Sequence, residues 1–304
     1  MSRFVILILF FSFLNCNSVS TEPVSNSNNN TFAKGALLTT SFKSFEDFKK
    51  VVAVEYSTTG TSWVQLIHSS NGGQVTSKLY SGVSEGDFID ARDGDFWDRV
   101  RLGFESPYFV MQRKNMLGVY ILSRRRHKDF GWPDMAFYDL ANTMKNNISK
   151  EDLAVASSDE LSEKGYLNTF NHVAAQSFMT TLFSEELADF VADTHERENM
   201  PELMTGKFTP EQLKDIKNGV VDNYVDMINN EWGQELGKRL KLKYNINQDT
   251  NWTPELVATY LNEIQSYFSW VFKLRFQPFT AKDELTIKFS NKITRIMNDV
   301  SGLR

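Results

Sequence analysis

Apolar residues recur along this chain at two different periods, and the change of period divides it. Residues 51–56, 62–68 and 75–80 are short runs rich in β-branched and aromatic residues, separated by turn formers. Such runs read as strands. Asn71-Gly72-Gly73 sets a tight reversal between the second and third. Residues 109–112 and 118–122 predict another hairpin across 113–117. Pro133 then opens a helix through Met144, with Met135, Leu140, Ala141 and Met144 inward. From Ser149 the spacing is helical. Residues 167–183 hold no charged side chain, which predicts burial on more than one side. Ser184 caps the next helix, with Glu185 and Glu186 favourably placed in its first turn. Thr209-Pro210-Glu211-Gln212 is a capping box opening a segment that runs past Gly237. Thr253-Pro254-Glu255 opens another helix, and residues 270–276 fit a strand as well as a helix. The pattern predicts an α+β N-terminal module over 36–148, followed by a mainly α-helical C-terminal domain over 149–304.

The front of the chain follows neither period. Arg3 precedes residues 4–14, which are apolar except for Ser12. That length suits a signal core of about 7–15 residues and falls short of the ~20 that span a bilayer. No later segment is apolar enough to span. Cys16 follows directly, and Phe13-Leu14-Asn15-Cys16 resembles a bacterial lipobox in position, with Asn15 where Gly or Ala is usual. The expectation is a lipoprotein signal peptide over 1–16, lipidation of Cys16 and membrane attachment through that lipid. The alternative is ordinary cleavage after Ser20, behind Ser18-Val19-Ser20, and a secreted soluble protein. Residues 17–35 are mainly Ser, Asn and Thr in their first part and read as a disordered tether. Cys16 is the only cysteine among 304 residues, so no internal disulfide forms, which favours a bacterial envelope over a eukaryotic secretory setting. A net charge of −5 gives no overall attraction to nucleic acid.

Candidate chemistry lies in the helical half. At about 100° per residue, Phe170, Val173, Ala174, Ser177 and Thr181 share one face of the charge-free run. His172 points the other way, beside Asn168, Ala175, Gln176 and Met179. An imidazole there needs a hydrogen-bond partner or a metal. On the next helix Leu187, Val191 and Thr194 set the inward stripe. His195 lies at its edge, Glu196 points nearly opposite and Asp193 sits off the other side, so His195 is the preferred ligand. On the third, Asp226, Asn230, Gly233 and Gly237 share a face. Two mid-helix glycines, each costing about 1 kcal/mol against alanine, make sense where another helix packs closely. His172, His195 and Asp226 thus suit a divalent metal, zinc or iron, with Asn230 and Glu196 as candidate catalytic groups and Asn168, Asp193, Asn229 and Gly233 in support.

Three local patterns, Asn168-x-Phe170-x-His172, Asp193-x-His195-Glu196 and Asp226-x-x-Asn229-Asn230-x-x-Gly233, resemble an uncharacterised bacterial family of helical domains found in secreted, wall-associated and toxin-like proteins. That family carries N-x-F-R-H, D-A-H-E and M-D-x-x-N-N-x-x-G. Asn171 stands here for the Arg, Thr194 for the Ala and Val225 for the Met. The resemblance implies one shared site across about 70 residues and no particular reaction. Elsewhere, Asp87, Asp90, Asp93, Asp95 and Asp98 read as a solvated loop whose spacing does not fit an EF-hand. Arg124-Arg125-Arg126-His127-Lys128 reads as a solvated strand end that could touch anionic lipid. Three functions follow: an envelope lipoprotein with a metal-dependent hydrolase-like site acting on an envelope polymer or lipid, a non-catalytic surface binding or assembly module, and a secreted toxin or effector.

Overall fold

Alternation at period two produces a meander of β1 (Val52–Ser57), β2 (Trp63–Ser70) and β3 (Gly73–Tyr80), ordered β1-β2-β3 and antiparallel throughout. The structure is a computed structural model that describes residues 36–301 apart from 41, 58, 72, 201, 206 and 215–218. The expected signal peptide, tether and Cys16 lie outside the described residues. Ser70 pairs with Gly73, so the chain reverses where the Asn-Gly-Gly signal sets it. Val64, Leu66 and His68 on β2 and Val75, Ser77 and Leu79 on β3 are buried, and the intervening residues are half-buried or exposed. One face of the sheet is therefore covered. The helix beneath supplies Trp232, whose Nε1 donates to His68 Nδ1 at 3.0 Å. His68 accepts there as a neutral ring, and burial lowers its pKa.

The helices up to the middle of the chain are α1 (Phe45–Phe48), ahead of the sheet, then α2 (Glu85–Asp93), α3 (Phe96–Glu105), α4 (Pro107–Leu122), α5 (His127–Phe130), α6 (Phe137–Asn146) and α7 (Lys150–Val155). The hairpin expected over 109–122 is instead the helix α4. Pro107 stands at its first turn, residues 113–117 contain no Gly or Pro to turn the chain, and Gly118, Val119 and Leu122 are buried together. The acidic run is not a loop either. Asp87 accepts from Ser84 N at 2.8 Å to start α2, and Asp95 accepts from Trp97 N at 2.7 Å to start α3. Arg124 to Lys128 follow a helix rather than a strand, and Arg125 and Arg126 pair with Asp139 and Asp129. The helix expected from Pro133 begins later, at Phe137, where Asp139 accepts from Ala136 N at 2.8 Å.

The second half holds α8 (Tyr166–Leu182), α9 (Glu185–Arg197), α10 (Glu202–Thr205), α11 (Pro210–Lys214), α12 (Val220–Lys243), α13 (Pro254–Phe272) and α14 (Glu284–Ser301). Ser184 and Thr253 cap α9 and α13 through Leu187 N and Leu256 N. The single segment expected from Thr209 past Gly237 is two helices, because extended backbone at Gly219 starts α12 afresh. Residues 270–276 resolve as the end of α13, a left-handed Lys273 with φ 59° and a lone bridge from Phe276 to Ile148. Both expected parts share one core: Val64 and Leu79 of the sheet cluster with Phe170 of α8 and Tyr224 and Ile228 of α12. Among the described residues no helix is long and apolar enough to cross a membrane.

Helix α8 packs most extensively on α12, and the two run in the same direction. Partners along the contact keep a near-constant sequence separation, from Asn168–Asp226 to Thr181–Gly237. Ser177 Oγ donates to Gly233 O at 2.9 Å and Thr181 Oγ1 to Gly237 O at 3.0 Å. A Cβ added at Gly233 would stand 2.8 Å from Gln176 Cβ, and one at Gly237 2.6 Å from the backbone oxygen of Ser177. The glycines are there for close approach. Gly237→Ala gains up to ~1 kcal/mol of helix propensity and incurs about 1–3 kcal/mol of overpacking against backbone that cannot swing aside. The expected outcome is a net loss of roughly 1–2 kcal/mol, read as a lower urea midpoint with unchanged slope.

Candidate functional site

Side chains four residues apart in a helix stack on one face. Helix α8 presents Asn168, His172 and Gln176 in this way, and α12 presents Asp226, Asn230 and Gln234. Parallel packing joins them rung to rung. Asn168 Nδ2 donates to Asp226 Oδ1 at 2.7 Å, His172 Nδ1 meets Asn230 Oδ1 at 2.9 Å, and Gln234 Nε2 donates to Gln176 Oε1 at 3.3 Å. Helix α9 supplies Glu196, whose Oε1 accepts from Asn230 Nδ2 at 3.2 Å. The amide of Asn230 therefore gives its NH2 to a carboxylate and its oxygen to the imidazole. That oxygen requires a proton on His172 Nδ1, and in the neutral ring the lone pair then lies on Nε2. His172 Nε2 lies 3.4 Å from Asp226 Oδ2. One donor atom each from His172, Glu196 and Asp226 lies within 4.8 Å of the other two.

Both carboxylates are buried, and the cost of charging them is visible in their acidity. Burial, then the charge of Asp226, pushes Glu196 well above the usual carboxylate range, with the Asn230 hydrogen bond opposing. Burial raises Asp226 too, against the pull of His172. Two such groups side by side are settled by shared protons or by a cation.

A cavity of about 910 Å³ opens against this cluster, with His172, Glu196 and Asn230 in its wall. Much of the remaining wall is apolar, including Phe88, Leu102, Met116, Val119, Phe137 and Met179. The pocket therefore presents a few convergent polar groups on an apolar surface, which is the usual composition of a ligand site.

The structure brings four of the anticipated site residues together, His172, Asp226, Asn230 and Glu196, with Asn168 behind Asp226. Glu196 was expected to point away from the other groups and instead is buried among them. Ala192 and Ala188, one and two turns before it, are buried with it, because α9 packs on both α8 and α12 and so has a wider inward arc than a single stripe. His195 turns outward: its side chain is 55% exposed and its Nδ1 lies 2.9 Å from Glu85 Oε2. Its ring centroid stays 6.4 Å from that of His172, and it lines the same cavity without joining the donor cluster. Asn229 clamps the chain ahead of the sheet, accepting from Leu38 N and donating to Leu38 O, each at 2.9 Å. Gly233 serves the helix contact. Asp193 accepts from Arg197, which also bonds Tyr80 O and Val83 O and so ties α9 to the segment after β3. The Gln176–Gln234 rung, Glu85 and the cavity itself were not anticipated. The matched four-residue spacing of amides and acids in two otherwise apolar helices was the available signal. Comparison of the chain with protein-family models, curated proteins and solved structures finds no match.

Acidic groups crowd the other edge of α9. Burial and then Asp189 push Asp193 up to about 7, against the pull of Arg197. Burial, followed by Asp189, pushes half-buried Glu231 of α12 up to about 8. An acid with a raised folded-state pKa binds more protons folded than unfolded, so its stabilisation is complete below its ordinary pKa and is lost as pH rises through the folded value. The melting temperature is expected to fall as pH rises from 5 to 8.5 (values chosen to bracket about 7 and about 8). Glu231→Gln should flatten the alkaline part of that slope in thermal melts.

Proposed function

We propose that the chain is an exported, lipid-anchored envelope protein, and that His172, Glu196 and Asp226 hold a divalent metal ion, zinc or iron, in a hydrolase-like centre. The observation that carries the metal reading is the convergence of one imidazole and two carboxylates within 4.8 Å. The donor set fits such an ion. His172 Nε2 has its lone pair free, Asp226 Oδ1 is occupied by Asn168 while Oδ2 faces the imidazole, and Asn230 orients both His172 and Glu196. Outer partners of this kind set ligand tautomer and orientation. A divalent ion bound there supplies Lewis acidity toward a carbonyl or phosphoryl oxygen.

The chain's own residues do the rest. Asn230 keeps the proton on His172 Nδ1, and Asn168 keeps Asp226 from rotating. His195, with Nδ1 turned to Glu85 at the cavity wall, presents Nε2 to take a proton from the attacking water and pass that same proton to the leaving group. The substrate is an envelope polymer or lipid with a bond presented at the inner wall of the cavity. One observation favours a second, non-catalytic reading: Asn168 and Asn230 already give the cluster partners within the chain, as helix packing alone would require.

Metal content separates the two readings. Purified protein, stripped and reloaded with zinc or iron(II), is expected to bind one ion. His172→Ala and Glu196→Gln should abolish that binding, His195→Ala should retain it, and Asn230→Ala should weaken it by about 10–100-fold. Failure of the folded wild type to bind any of these ions sinks the metal centre. The anchor has its own test: radioactive palmitate should label the wild type in a bacterial host and leave Cys16→Ser unlabelled.

A further inference from the structure

A surface helix ordinarily turns its apolar stripe inward. Helix α3 does the reverse. Phe96, Trp97 and Phe104 are 63%, 70% and 80% exposed. On a helix these three fall within about 100° of arc, with half-buried Val100 between them and Arg101 at the edge, while buried Leu102 lies on the far side. Only Ser106 separates α3 from α4, which continues the pattern with exposed Val110, Met111, Leu117 and Tyr120. Val110, Leu117 and Tyr120 also line the cavity, so the exposed apolar face and the cavity wall are parts of one surface. Contiguous exposed apolar residues of this kind mark an interaction site.

The cavity lining is basic where the chain as a whole is acidic: Arg92, Arg99, Arg113 and Arg124 line it against Glu85 and Glu196. Arg99 bonds the carbonyl oxygens of Ala91, Arg92 and Gly94, Arg113 reaches Val110 O, and Arg124 lies over the Tyr120 ring. Among the described residues none of the three is ion-paired. Arg92 nearby is matched by Asp93, and Arg101 approaches Glu105 at 3.9 Å. Exposed aromatics edged by unpaired arginines fit the boundary of an anionic bilayer, where ring burial and head-group attraction add. A symmetric contact of this face with itself would instead set arginine against arginine.

We propose that the α3–α4 face docks on an anionic lipid bilayer and that the cavity behind it takes up an acyl chain from that bilayer. Trp97 and Phe104 enter the interfacial layer, the three arginines meet head-group phosphates, and the chain lies against Leu102, Met116 and Met179 on its way toward the polar cluster. The proposal deepens the reading of the site by naming its substrate class as lipid. Neither docking nor chain uptake requires the metal.

Both steps can be measured on the full chain carrying Cys16→Ser throughout, so that no acyl anchor contributes and the apolar residues 4–14 add the same background to every variant. Sedimentation with phosphatidylglycerol vesicles is compared with sedimentation on phosphatidylcholine vesicles. Partitioning should be at least tenfold stronger on the anionic vesicles, and Trp97→Ser combined with Phe104→Ser should lower it at least tenfold with an unchanged circular dichroism spectrum. Equal partitioning of this variant overturns the docking surface, as does a dimer that ignores both vesicle types. For uptake, the fluorescent fatty acid cis-parinaric acid should bind the wild type alike whether it is loaded with zinc or stripped of metal by a chelator. Met116→Trp, which fills the cavity, should reduce that binding at least tenfold and leave vesicle partitioning unchanged; Ala175→Phe repeats the test from the opposite wall. Parinarate bound undiminished by a folded filling variant overturns the acyl-chain site. Parinarate bound equally by the stripped and the loaded protein supports the acyl-chain site whatever the outcome of the metal test.

Discussion

The parallel contact between α8 and α12 is the constraint on which the rest depends. Two helices approach this closely only where side chains are absent, and Gly233 and Gly237 provide the gap that Ser177 and Thr181 then bridge to backbone oxygens. Those two bonds fix both spacing and register. Once the register is set, three polar residues on one helix must meet three on the other, since both sets repeat every four residues. A slip of one residue would leave Asp226, His172 and Asn230 buried without partners, at a cost of several kcal/mol. The polar rungs and the glycine contact therefore support each other, and each specifies the same arrangement.

Around that pair the remaining elements divide their tasks. Helix α9 crosses both and adds Glu196 from one face while Asp193 and Arg197 secure its end to the segment after β3. The sheet rests on α12 through the His68–Trp232 bond, and Asn229 holds Leu38 to the same helix. Helices α2 to α4 contribute apolar cavity wall and keep an apolar stripe facing solvent. The chain thus buries its polar groups at the centre and exposes part of its apolar surface at the edge. Both inversions meet in one cavity, which is why a lipid partner and a polar reaction centre are compatible readings of one site.

The α+β order of elements could be read directly. Strands at 52–80 announce themselves by alternation, and the charge-free α8, the Ser184 and Thr253 caps and the Asn-Gly-Gly reversal are local signals with local causes. His172, Asp226 and Asn230 were legible as inward groups because each sits in an apolar helix beside small residues. The failures are equally instructive. The ends of α4 carry the β-branched and aromatic residues of a hairpin, while the middle of the segment, which has no Gly or Pro, continues as helix. A single amphipathic stripe turns Glu196 outward because it assumes one packing partner, and α9 has two.

What the sequence by itself determined is the α+β order of elements with its strands at 52–80, that α8 and α12 carry buried polar residues, and that glycines on α12 await a close neighbour. These follow from period, capping and the cost of an unneeded glycine, all of which act within a few turns of one element. Tertiary structure alone decided which neighbour that is, that the helices run parallel in the register matching Asn168 to Asp226 and His172 to Asn230, that Glu196 rather than His195 completes the cluster, and that a cavity opens beside it. Those outcomes depend on the relative placement of elements tens of residues apart, which is set by the packing of whole faces rather than by any local pattern.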